Sequence, residues 1–85
     1  MPAISMFYGI IIYMYYEDHT PPHFHAVFSG QEASFDFSGK IIEGKFPRNK
    51  RKLVEAWIIL HKEELEANWT LAKNMAQVMP IDPLK

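Results

Sequence analysis

The stretch His23-Phe24-His25-Ala26-Val27-Phe28-Ser29-Gly30-Gln31-Glu32-Ala33-Ser34-Phe35-Asp36-Phe37 reads as a β-hairpin. Phe24, Ala26 and Phe28 alternate with His23, His25 and Val27, and after Ser29-Gly30 the residues Ala33, Phe35 and Phe37 alternate with Glu32, Ser34 and Asp36. Period-two alternation is the signature of a half-buried strand, and Ser-Gly suits a two-residue hairpin turn. With that turn, Phe28 faces Gln31, Ala26 faces Ala33 and Phe24 faces Phe35. On the other side His25 faces Ser34 and His23 faces Asp36. A slip of one residue would turn Phe35 to the histidine side and bury polar side chains, so burial itself selects this register.

Working outward, residues 4–8 and 10–16 are rich in β-branched and aromatic side chains and are separated by Gly9, so they form one bent strand or two short ones. The polar segment 17–22 ends in Pro21-Pro22, which cannot donate to a ladder, and must be a connection. Ser38-Gly39 offers a second tight turn before a short last strand over residues 40–44. From Pro47 the period becomes helical: Leu53, Val54, Trp57, Ile58, His61, Leu65, Trp69, Ala72 and Met75 recur at three- and four-residue spacing. An unbroken helix of that length would overhang so small a sheet, so the pattern predicts a break near His61-Lys62, with Glu63 and Glu64 in the first turn of a second helix. The expected fold is α+β: an antiparallel meander of four or five strands followed by two C-terminal helices packed on one face. Residues 1–79 form the single domain, and residues 80–85 an extended, proline-containing tail.

The chain has 85 residues, 48% of them hydrophobic and 14% aromatic, which predicts a packed core rather than disorder. It contains no cysteine, excluding disulfides, thiolate metal sites and thiol catalysis. The first sixteen residues carry no charged side chain, but Gly9 and the tyrosines break a stretch already too short for a membrane-spanning helix, and no secretory signal pattern is present. The expectation is a cytoplasmic chain with no membrane association.

Two groups of residues are candidates for function. The hairpin register gathers His23, His25 and Asp36, and the preceding loop brings Asp18 and His19. Two histidines and a carboxylate are the donor set of open Fe(II), Mn(II) or catalytic zinc sites, so a divalent metal (zinc, manganese, iron or nickel) and a metal-dependent enzyme or nuclease form one reading. The other is that the imidazoles bond to backbone groups of the proline-rich loop. A nucleophilic triad with Ser34 is weaker, because no turn exposes that hydroxyl. The second group is Arg48, Lys50, Arg51 and Lys52, with Lys45 just before them. Cations in a helix's first turns oppose its dipole and hint at an anion, a nucleic acid or an acidic partner; the alternative is a solvated face on which Arg51 pairs with Glu55. Nine Lys and Arg against ten Asp and Glu neither demand nor forbid nucleic acid.

The segments Pro2-Ala3-Ile4-Ser5, Phe7-Tyr8-Gly9-Ile10 and, above all, Asp18-His19-Thr20-Pro21-Pro22-His23-Phe24-His25-Ala26 resemble the bacterial domain of unknown function 4160. The similarity continues through Ile42-Glu43-Gly44-Lys45-Phe46-Pro47-Arg48 to Trp57, His61, Glu64, Leu65 and Trp69. The resemblance implies a small stand-alone protein that accompanies another short protein from a compact operon in a toxin–antitoxin-like pair. It implies no catalytic residues, but marks His19, Pro21, Pro22, His23, Phe24 and His25 as motif positions. Family members usually have Leu where this chain has Phe46, which implies a change in packing. The expected function is therefore an interaction module with a protein partner or a homo-oligomeric state, its working surface the histidine-bearing side of the sheet and the adjoining loop.

Overall fold

The computed structural model describes residues 3–15 and 21–85. Among these, the strands β1 (Ala3–Phe7), β2 (Ile10–Tyr13), β3 (His23–Phe28), β4 (Gln31–Asp36) and β5 (Ile41–Gly44) precede one helix, α1 (Arg48–Lys73). Every strand pairs antiparallel with the next, giving a meander in the order β1-β2-β3-β4-β5. The β3–β4 register is the one that burial selects, from His23 opposite Asp36 to Phe28 opposite Gln31.

Turn chemistry explains the sheet's compactness. Ser29 and Gly30 both have positive φ, 49° and 82°, as a type I′ turn requires. Tyr8 and Gly9 repeat the pattern at 50° and 79°, so the first apolar segment is two short strands joined by a two-residue turn. Between β4 and β5 the chain takes a wider turn held by one side chain: Asp36 Oδ1 accepts from the Ser38 amide (2.9 Å), the Ser38 hydroxyl (2.7 Å) and the Lys40 amide (3.0 Å). Gly44, at φ 90°, closes β5 against β4; a Cβ there would sit 2.3 Å from the Glu32 carbonyl oxygen.

The expected pair of helices is instead a single helix bent at His61, whose backbone (φ −125°, ψ 26°) is the only non-helical point inside it. A straight helix of 26 residues would run about 39 Å, longer than the molecule's greatest extent of 33 Å. The bend keeps both halves over the sheet: Trp57 meets Phe7 (5.4 Å between ring centroids) and Phe24 (5.7 Å), while Trp69 meets Phe37 (6.4 Å) and His23 (5.4 Å). One local kink thus does what a loop between two helices was expected to do, because the His61 ring bonds within its own helix: Nδ1 donates to Glu64 Oε1 at 2.6 Å.

Ile10, Ile12, Met14, Phe24, Ala26, Ala33 and Phe35 from the sheet and Val54, Trp57, Leu65, Trp69 and Ala72 from α1 form the core. Phe46 joins them, its ring 5.5 Å from Phe35 and 6.4 Å from Phe28. After α1 the chain is extended and returns along the helix. Buried Asn68 clasps Met79, donating to its carbonyl (2.7 Å) and accepting from its amide (2.9 Å). Ile81 N–H donates to the Ile4 carbonyl of β1 (2.7 Å), and Trp57 Nε1–H donates to the Asp82 carbonyl (2.8 Å).

Candidate functional site on the outer face of the sheet

Helix α1 and the C-terminal segment occupy one side of the sheet. Among the described residues, no helix or strand lies over the other. The strand registers order that outer face into cross-strand rows. One runs Ala3, Tyr13, His25, Ser34, Glu43 across all the strands. The next runs Met6, Ile11, Val27, Glu32 across β1 to β4. A third pair, His23 with Asp36, stands at the far end of the hairpin.

The centre of this arrangement is His25. Its Nδ1 lies 3.2 Å from Ser34 Oγ and 3.5 Å from Glu32 Oε2, and the Tyr15 ring packs 4.3 Å from it, centroid to centroid. The His23 ring stands edge-on to His25 at 5.2 Å and reaches Trp69 at 5.4 Å, while its Nδ1–H donates to the Pro21 carbonyl at 2.7 Å. Prolines leave carbonyls without ladder partners, and His23 serves one of them. A depression of about 220 Å³ opens over the middle of β4 and β5, lined by His25, Glu32, Ala33, Ser34, Glu43 and Gly44.

The predicted metal set does not assemble from His23, His25 and Asp36. Register places Asp36 beside His23, yet its Oδ1 is taken by the β4–β5 turn. Burial would raise the Asp36 pKa, but the Ser38 hydroxyl, the Lys40 and Ser38 amides and the Lys40 charge outweigh it and hold the carboxyl below its ordinary value. Among the described residues no group of three His, Cys, Asp or Glu side chains could hold a metal ion. His19 and Asp18 lie outside the described residues. A triad is no better supported: Ser34 is 7% exposed in mid-strand, and Ser34 and Glu32 approach the same imidazole nitrogen, so these three residues form no relay from hydroxyl through ring to carboxylate.

The basic run lies apart from this face. Pro47 precedes α1 without a side-chain cap, and the first helical turn holds no acidic residue. Lys50 Nζ sits 5.0 Å from the centroid of the Phe28 ring, a cation–π contact, while Arg48, Arg51 and Lys52 are exposed. Among the described residues no ion pair joins Arg51 to Glu55.

A family model, "domain of unknown function (DUF4160)", matches residues 9–70, from the turn before β2 almost to the end of α1. The chain belongs to this family. DUF4160 therefore spans the rows on β2 to β5, the basic run and the kink at His61, and leaves β1 and the C-terminal segment outside the match. No curated protein and no solved structure matches the chain. No helix among the described residues is long and apolar enough to cross a membrane.

Sequence reasoning missed Tyr13 and Glu43 as members of the site. Placing Tyr13 opposite His25 requires the β2–β3 register, which a connection of many residues does not fix. Placing Glu43 opposite Ser34 requires the irregularity between Ser34 and Phe35 in the β4–β5 ladder.

Proposed function

We propose that this DUF4160 chain is a small protein-interaction module, one member of a toxin–antitoxin-like pair, whose working surface is the outer face of the sheet. The observation that supports this most is the row Met6, Ile11, Val27. An antiparallel sheet with one solvated face normally presents polar residues there. This face instead carries Met6 at 62% exposure beside half-buried Ile11 and Val27, and Tyr13 and Tyr15 near them. Contiguous exposed apolar surface beside polar groups is characteristic of contact sites. The test is co-expression with the product of the adjacent gene. The wild-type chain is expected to co-purify with it in fixed stoichiometry, and Val27→Lys to fold normally and lose it. A wild-type chain that stays monomeric at micromolar concentration and co-purifies with nothing contradicts the proposal.

The second reading is nucleic-acid binding through Arg48, Arg51 and Lys52, favoured by their exposure at the start of a helix whose first turn holds no acidic residue. It requires binding to a short duplex that weakens steeply with salt. Binding that is undetectable or insensitive to salt removes it.

A further inference from the structure

The charges of this molecule are segregated. No strand contains Lys or Arg; the cations lie on α1, at either side of β5 and at the C-terminus. The outer face does carry carboxylates. Glu32, its side chain 52% exposed and in the next row, and exposed Glu43, opposite Ser34 in its own row, line the depression over β4 and β5. Among the described residues the one ion pair made by either carboxylate is that of Glu32 with His25, at 3.5 Å. In water these carboxylates cost nothing. Under a partner that covers Met6, Ile11 and Val27 they lose their hydration, and a buried carboxylate without a counter-ion is strongly unfavourable.

We infer that the partner is a protein that seats an arginine or lysine side chain in the depression between His25, Ser34, Glu32 and Glu43 while its apolar residues cover the Met6–Ile11–Val27 row. The inference rests on the interaction reading above and names the chemistry of that same face. A guanidinium suits the place best: its planar fork can address the two carboxylates that line the depression. A nucleic acid does not suit it, because phosphates would meet Glu32 and Glu43 with no cation between.

The experiment has two arms. In the first, acetyl-arginine amide is titrated into the wild-type protein and followed by NMR, with acetyl-norleucine amide as the uncharged control. Saturable shifts at His25, Ser34 and Glu43 are expected with the arginine compound only, and Glu32→Gln/Glu43→Gln should abolish them. Equal shifts from both compounds, shifts elsewhere, or shifts that survive the double substitution overturn the inference. In the second arm the co-purified partner is used. Glu32→Gln/Glu43→Gln should weaken its binding at least tenfold. Loss of binding in Val27→Lys with full binding in Glu32→Gln/Glu43→Gln would overturn the inference alone. Full binding in Val27→Lys would overturn the interaction reading itself.

Discussion

The two faces of one sheet follow opposite rules. On the side of α1, residues such as Ile12, Phe24, Ala26 and Phe35 are fully buried, and each ring meets another ring at 5 to 6 Å. One residue along, the same strands place half-buried Tyr13, His25 and Val27, with Ser34, in rows over which no described helix or strand lies. The first face has its complement within the chain, whereas over the second no described helix or strand lies, and it is there that the proposed partner docks. Period-two alternation builds both at once, so a substitution at one position tests stability and at the next tests recognition.

The largest expected effect lies on the inner face. Trp57→Ala removes a fully buried ring together with its bond to the Asp82 carbonyl, and should cost about 4 kcal/mol in denaturant melts, enough to unfold much of so small a domain. Gly44→Ala comes next. Its Cβ would meet the Glu32 carbonyl oxygen at 2.3 Å at a backbone φ of 90°, so a loss of about 2 to 3 kcal/mol is expected. Asn68→Ala frees the C-terminal segment by leaving both Met79 backbone groups unpaired, at about 2 kcal/mol, and hydrogen exchange should show early opening of residues 78–82.

Asp36→Asn sits between the two faces and should cost about 1 kcal/mol at neutral pH through the weakened β4–β5 turn. Its sign with pH is definite. The folded carboxyl titrates below its ordinary value of 3.8, so its contribution is present above that value and vanishes as pH falls through the folded pKa. Wild-type and Asp36→Asn melting temperatures should therefore converge at low pH; a gap that persists there would show that Asp36 acts by shape rather than charge. The smallest effect on stability belongs to the outer face. Val27→Lys, directly opposite Glu32, should stay within about 1 kcal/mol of wild type while removing partner binding.

The inner face was legible in the sequence because burial leaves little freedom. The register of Phe24 with Phe35 follows from which residues must be hidden, and His25 and Ser34 come with it. The outer face was legible only within that hairpin. Tyr13 could not be joined to His25 because the sequence of the long connection between their strands does not specify the register, and for Asp36 the sequence sets the place opposite His23 but not its bonds to Ser38 and Lys40, which depend on the conformation of the turn. The place of the bend followed from the length of the helix over so small a sheet and from Glu63-Glu64, but its form did not. A histidine bonded to Glu64 one turn on keeps the chain in one helix where the length argument alone asked for two.

The most direct test of the division between faces is methyl NMR of the chain free and bound to its co-expressed partner. The account predicts that Met6, Ile11 and Val27 shift on binding while Ile12, Val54 and Leu65 do not. Shifts confined to Ile59 and Leu60, the exposed apolar pair on α1 at the kink, would place the partner on the helix and contradict it.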